Sequence, residues 1–371
     1  MTDLSHIYVN GRFLGRGVTG VERFAAMTLR EMDAALQHDG ATGHRWTLLV
    51  PQGVARPDWW HQGFETVGHR GGHVWEQWDL ARRARDGVLL NLCNSGPVTL
   101  ARQLTIVHDA LVYDLPQNFR PAYRLLHRTL GRLIARRSRI GTVSAFSRDR
   151  LSTVLKLDPE MIPVVPNAAD HVATISPDDG IIARLGLADT PFLLFVGSFA
   201  PNKNLPVALR AFERLAKSWP DPKLVLVGAS GKLFAASGFD DVPPGVILPG
   251  RIGDGELMAL YRHARALIFP SSYEGFGIPP LEALQLGCPV IASDIPPTRE
   301  VCGDAAHYVP EGDANALAAA MRTALADADL RQTIADKARR RAASFSWARS
   351  AALLRANAEA LATASPARTA R

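Results

Sequence analysis

The sequence alternates short apolar runs with helical patterns, breaks once, and then alternates again. That rhythm commits the chain to parallel α/β sheets, because a strand followed by a helix returns to the sheet in the same direction. In the first half the spacing predicts strands at His6–Val9, Trp46–Val50, Val88–Leu90, Leu104–Val107, Ile140–Val143 and Ile162–Val165. Helices are expected at Val21–Leu36, Val74–Arg85, Arg120–Arg137 and Phe146–Leu155. Residues 166–190 are polar and carry Pro, Asp and Gly, so they read as a linker. The second half predicts strands at 191–197, Lys223–Gly228, Gly245–Leu248, Ala266–Pro270 and Pro289–Ala292. Its helices are expected at Asn204–Lys217, Asp254–Ala264, Pro279–Leu286, 313–326, 328–343 and, last and longest, 345–364. The expected fold is two doubly wound, Rossmann-like domains, 1–175 and 176–345. Ligands of such sheets bind beyond the carboxyl ends of the strands, here in a cleft between two facing units.

Composition removes whole classes. A chain of 371 residues with 47% hydrophobic and 21% charged residues is globular. No apolar run approaches the ~18 residues of a spanning helix. The start, MTDLSHIYVNGRF, lacks a basic and an apolar region, so no signal peptide is expected. Cys93, Cys288 and Cys302 lie too far apart for a disulfide framework or a cysteine-rich zinc site, which fits a reducing cytosol. Residues 1–175 hold 21 Lys and Arg against 16 Asp and Glu, whereas 176–371 hold 21 against 20. The first half therefore favours an anionic neighbour.

The chemistry concentrates in FPSSYEGFGIPPLEALQLGCPVIASD, residues 269–294. A strand ends at Pro270, a loop holds Glu274, Gly275, Phe276 and Gly277, and a helix opens at Pro279. Glycines let amides converge on an anion, and the helix N-terminus adds positive potential suited to phosphate. Two carboxylates beside a phosphate would repel it, so Glu274 and Glu282 are read as acceptors for hydroxyls. A diphosphate flanked by polyols, a nucleotide-sugar, satisfies both demands. The histidines show no metal-ligand spacing and no DxD motif stands at a strand end, so chemistry without a metal is expected. A serine-hydrolase elbow and a Walker loop are absent from the sequence.

The two glutamates of EGFGIPPLE, followed by GCPVIASD, resemble the retaining GT-B glycosyltransferases of family 4, mannosyltransferases of surface-polysaccharide assembly in particular. VHDALVYDLPQNF, TVSAFSRDRL, VVPNAAD, FVGSFAPNKNLPVALRAF and PGRIGDGELMALYRHA agree in order and spacing. The resemblance implies a helix at about 346–365 that crosses back onto the first domain. It implies that Glu282 holds the donor ribose and that Glu274 lies by the transferred sugar. Backbone amides of Gly275, Phe276, Gly277 and Ile278 would bind the diphosphate, and Lys203 would neutralise it as its bond to the sugar breaks. Arg251 and Ile252 would border the base. His108, at a strand end with Asp109 after it, would hydrogen-bond the donor sugar. Gly17 and Gly20, in the glycine-rich loop GRFLGRGVTG, would border the diphosphate and the acceptor. Many members carry an arginine where this chain has Ser198, and Arg251 is the expected substitute.

The implied reaction moves a hexosyl group, mannose from GDP-mannose first, with UDP- and dTDP-sugars open, to a glycan or polyprenyl-diphosphate-linked acceptor with retention. The nucleotide-sugar is a co-substrate and no cofactor is expected. A nucleotide-sugar epimerase or hydrolase, or a non-catalytic donor-binding subunit, is the alternative. Arg120, Arg124, Arg128, Arg132 and Arg136 recur every fourth residue and form one slowly spiralling stripe. It reads as a solvated face or as a docking surface for anionic lipid headgroups or a lipid-diphosphate acceptor, which would make the enzyme peripheral at the inner face. Nucleic acid is not expected, since no stacking aromatics accompany the arginines. Tyr123, Leu126, Leu130, Leu133 and Ile134 form a separate stripe expected to face the core.

Overall fold

The computed structural model describes residues 5–39, 43–228 and 242–364. The chain forms two compact units: one runs to Asn167 and resumes at Trp347, and the other is Ala168–Ser346. The first sheet contains β1 (Ser5–Asn10), β2 (His44–Val50), β3 (Gly63–Thr66), β4 (Val88–Asn91), β5 (Gln103–Ile106) and β6 (Arg139–Gly141). Their order is β3-β2-β1-β4-β5-β6, and every neighbouring pair is parallel.

The second sheet contains β7 (Phe192–Val196), β8 (Lys223–Val227), β9 (Val246–Ile247), β10 (Ala266–Phe269), β11 (Val290–Ser293) and β12 (Ala306–Val309). Its order is β12-β11-β10-β7-β8-β9, again all parallel. Both units thus repeat one plan, in which the first strand lies beside the fourth and the winding reverses between them. The crevice at that reversal is where doubly wound sheets take ligands.

The strands are continuous apolar runs because helices cover both faces. In the second unit the Leu205–Ala216 helix buries Leu205, Leu209 and Phe212 in one core with Leu193, Leu226, Ile268, Leu317 and Met321. In the first unit the Trp347–Thr363 helix packs on the Gly20–Asp39 helix and on β1, β4 and β5. Trp347 is fully enclosed 6.2 Å from Phe24, Ser350 Oγ donates to the Pro166 carbonyl at 2.6 Å, and Arg102 Nη2 donates to the Ala362 carbonyl at 3.0 Å. No helix among the described residues is long and apolar enough to cross a membrane.

Several expectations are corrected. Ile162–Val165 makes only an isolated bridge, Thr142 to Val164, because Pro163 has no N–H to extend a ladder. Strands β3 and β12 and the Pro296–Cys302 helix were not anticipated. Residues 166–190 are no open linker: a 3-10 turn at Asp170–Thr174 and a helix at Gly180–Arg184 bury Ala168, Val172, Ile181 and Leu187. The single helix expected at Val74–Arg85 is broken by a π turn at Glu76–Leu80 and ends in a 3-10 turn at Ala84–Asp86.

The arginine-striped helix forms at Pro121–Arg137, but its apolar stripe does not face a core. Tyr123, Leu126 and Leu133 are exposed, Leu125 is 70% exposed, and Ile134 is the helix's one buried residue. Its main neighbours are the four-residue Leu111–Asp114 helix and the Ala145–Leu155 helix, too little surface to cover seventeen residues. The tail after residue 364 lies outside the described residues.

Candidate functional site

Strands β7 and β10 are neighbours through Ala266 beside Leu193 and Leu267 beside Leu194, so their exit loops leave the sheet side by side. Two backbone links stitch those loops together. Ser272 N donates to the Asn202 carbonyl at 2.8 Å, and Asn202 Nδ2 donates to the Tyr273 carbonyl at 2.9 Å. This brings together two residues 71 positions apart: Lys203 Nζ donates to both Glu274 oxygens, at 2.7 and 2.8 Å. Glu274 is buried, Lys203 is partly exposed, and the ammonium also lies 5.7 Å from the centre of the Phe269 ring.

The backbone around the pair is glycine-dependent. Gly277 has φ +113°, a left-handed conformation that a side chain resists. At Gly228 a Cβ would lie 2.5 Å from the Gly197 carbonyl oxygen, so the exits of β7 and β8 approach only without side chains. The Ile278–Gln285 helix then starts with two prolines, Pro279 and Pro280. Neither has an N–H, which leaves the loop's own amides, from Gly275 to Ile278, as the donors at that helix end.

Glu282 lies inside this helix and is buried. Tyr261 Oη donates to its Oε2 at 3.1 Å, and His171 Nε2 lies 3.6 Å from its Oε1. The second unit thus pairs a cation with a carboxylate where β7 and β10 exit, and buries a second carboxylate in the helix that follows. Cations and amides suit an anion; carboxylates accept from hydroxyls. Ser198 and Arg251 are exposed, and Ile252 is half-buried at the turn before the Asp254–His263 helix.

In the first unit His108 follows β5 and is buried. Its Nε2 meets the Leu92 carbonyl at 2.9 Å, its backbone N donates to Asn94 Oδ1 at 2.7 Å, and its ring stands edge-on to Phe24 at 4.9 Å. Burial pushes the imidazole down to about 4. It is therefore neutral at pH 7, and since a carbonyl can only accept, Nε2 carries the proton. Gly17 and Gly20 are exposed, Gly20 at the start of the Gly20–Asp39 helix.

Sequence reasoning missed a buried polar network at the corresponding reversal between β1 and β4. Glu76 Oε1 accepts from Asn10 Nδ2 at 2.9 Å and from Ser95 Oγ at 3.0 Å. Its Oε2 accepts from Arg12 Nη1 at 3.0 Å and lies 3.2 Å from His73 Nδ1. Asn10 also donates to Asn91 Oδ1 at 3.0 Å. Glu76 opens the π turn, so the helix irregularity was the one signal available, and periodicity does not register it.

The chain is similar to known glycosyltransferases. Residues 180–341 match the family described as glycosyl transferases group 1. O-antigen chain mannosyltransferase B of Escherichia coli is 27% identical over 270 residues, 68% of this chain and 68% of that protein. O-antigen chain mannosyltransferase RfbU of Salmonella typhimurium is 30% identical over 223 residues, 58% of this chain and 59% of that protein. Sucrose-phosphate synthase from Thermosynechococcus elongatus superposes with a TM-score of 0.71 at 20% identity, covering 97% of this chain and 100% of that one. Two parallel six-stranded Rossmann-like sheets of this order make the fold GT-B, and residues 180–341 are similar to the glycosyl transferases group 1 family.

Proposed function

We propose that the protein is a mannosyltransferase of surface-polysaccharide assembly, moving mannose from GDP-mannose to a glycan or polyprenyl-diphosphate-linked acceptor with retention and without a metal ion. The observation that carries this reading is the Lys203–Glu274 pair beside the amides of Gly275–Ile278. The mannosyltransferase names of the O-antigen relatives supply the sugar and the polymer.

The residues divide the work. An arriving diphosphate competes with Glu274 for Lys203, and its departure with the nucleotide develops charge that the ammonium and the amides offset. Glu274, released, accepts from sugar hydroxyls; Glu282, oriented by Tyr261, accepts from the ribose. Arg251 takes the place of the arginine missing at Ser198, and Ile252 borders the base. Neutral His108 hydrogen-bonds the donor sugar, and the Gly17–Gly20 loop borders the diphosphate and the acceptor. Among the described residues no carboxylate stands as an evident covalent nucleophile, so attack comes from the face the phosphate leaves, with that phosphate taking the proton. The protein positions the reactants and stabilises charge.

We further propose that the enzyme works in the cytoplasm, peripheral at the inner face of the membrane. The contact is an anionic surface against Arg120, Arg124, Arg128, Arg132 and Arg136, supported by the exposed leucines between them.

The test is a thermal-shift screen over GDP, UDP and dTDP with their sugars, followed by transfer assays. A donor at 100 times its Kd adds ~2.7 kcal/mol of stability. GDP-mannose is expected to give the largest shift. Lys203→Ala and Glu282→Ala are each expected to lower transfer by roughly tenfold to a thousandfold. Near-normal transfer by both variants removes the site assignment, and donor turnover without any acceptor moves the reading to a hydrolase or epimerase.

A further inference from the structure

The first unit contains a cavity of about 210 Å³ under the Pro121–Arg137 helix. Tyr123, His127, Gly131 and Ile134 roof it; at ~100° per residue these four share one helix face. Its floor is apolar, built from Ile140 of β6 and Leu151 and Leu155 of the next helix. Polar groups line it where β4 and β5 end, at Asn94 and Asp109, and both are already engaged: Asn94 Oδ1 by the His108 amide and Asp109 Oδ1 by the Leu111 amide, at 2.9 Å.

The helix is strongly cationic beside that cavity. From Leu115 to Arg148 the chain holds eight arginines and no Asp or Glu. No ion pair among the described residues engages Arg120, Arg124, Arg128, Arg132 or Arg136; the nearest paired arginines, Arg148 and Arg150, use Asp149 and Asp114. Arg124, Arg128 and Arg132 line a second, outer hollow. One side chain joins the two features. Tyr113 walls the cavity, its ring lies 5.4 Å from the Arg128 guanidinium, and its hydroxyl donates to the Arg128 carbonyl at 3.3 Å. Gly131 permits that approach: a Cβ there would sit 2.4 Å from the Tyr113 hydroxyl.

An apolar hole next to unpaired arginines selects an apolar chain with an anionic head. By scaling from a cavity of ~150 Å³ that holds benzene, about eight carbons fit here. We propose that this cavity receives the first isoprene units of the lipid-linked acceptor while Arg124, Arg128 and Arg132 hold its diphosphate. The proposal rests on the polyprenyl-diphosphate reading of the acceptor and gives that acceptor a site. The exposed Leu125 and Leu126 then lie where the rest of the chain would emerge towards a bilayer.

The test is calorimetric titration of the full chain with geranyl diphosphate, geraniol and inorganic diphosphate. Geranyl diphosphate is expected to bind at least about tenfold tighter than either fragment. Val112→Trp or Leu155→Phe, which fill the cavity, should remove that advantage. Arg124→Ala with Arg128→Ala should weaken geranyl diphosphate by about tenfold and leave geraniol unchanged. Using two filling variants, each first shown to keep the nucleotide-sugar thermal shift, separates loss of the cavity from loss of the fold. Geranyl diphosphate that binds no tighter than inorganic diphosphate, or that ignores both filling variants, overturns the proposal. Displacement at equal concentration by dioctanoyl phosphatidylglycerol also overturns it, by assigning the cavity to bulk membrane lipid. In each of those outcomes an intact donor shift and transfer rate leave the mannosyltransferase reading standing.

Discussion

The two units share one strand order yet use their strand reversals in opposite ways. Between β7 and β10 the loops hold a partly exposed lysine on a buried carboxylate, ahead of a helix that opens after Gly277. Between β1 and β4 the equivalent loops close on themselves: Glu76 takes hydrogen bonds from Asn10, Arg12 and Ser95 and is 1% exposed. One reversal leaves its ion pair partly open to solvent and the other buries its polar network. A doubly wound sheet provides a location for chemistry, and the loops decide whether chemistry happens there.

The largest effect is expected from Glu76→Ala. It leaves the Arg12 guanidinium buried without its partner, which costs about 3–5 kcal/mol. Denaturant melts should show the loss while nucleotide-sugar binding to the surviving folded protein stays unchanged; an effect on donor affinity alone would erase the distinction between the two reversals. His108 comes next. Its ring is held at about 4 against an ordinary 6.5, so between those values the unfolded chain binds the extra proton and stability falls as pH falls. The expected loss is up to about 3 kcal/mol by pH 4, and His108→Phe should flatten that part of the melting curve against pH.

Gly277→Ala should follow, at roughly 1–3 kcal/mol, because the added Cβ resists φ +113°. It should weaken the donor as well, since the strained loop carries the amides; unchanged donor affinity in calorimetry would detach that loop from binding. The smallest effect is expected at Leu125→Ser. A side chain 70% exposed should change stability by less than about 0.5 kcal/mol, whereas its loss should reduce pelleting with anionic liposomes.

Much of the fold was legible from the residues. Leu104–Val107 and the 191–197 run read as strands because uninterrupted apolar stretches bounded by turn residues have few alternatives. What failed has physical reasons. Strand β3, GFET, is a short partly exposed edge with no apolar run to announce it. The stripe of Tyr123, Leu126 and Leu133 was read correctly as one side of a helix, but periodicity reports which residues share a face and is silent on whether anything covers it. The site divides the same way. The loop Glu274–Gly277 could be found by its glycines and the helix behind it. Its contact with Lys203 spans 71 residues and follows only from β7 lying beside β10. Glu76 could not be found, since its place depends on a π turn within an apparently regular helix.

The last helix carries a consequence for how the molecule is made. Trp347 and Leu354 are core residues of the unit that begins at the N-terminus, and Arg355 reaches back to Asp39 at 2.6 Å. On the ribosome, Ala168–Ser346 is fully synthesised before the element that completes its predecessor exists. The portion translated first is therefore the portion finished last, and a stop codon shortly after Ser346 would strip the opening half of its lid while sparing the half next to the truncation.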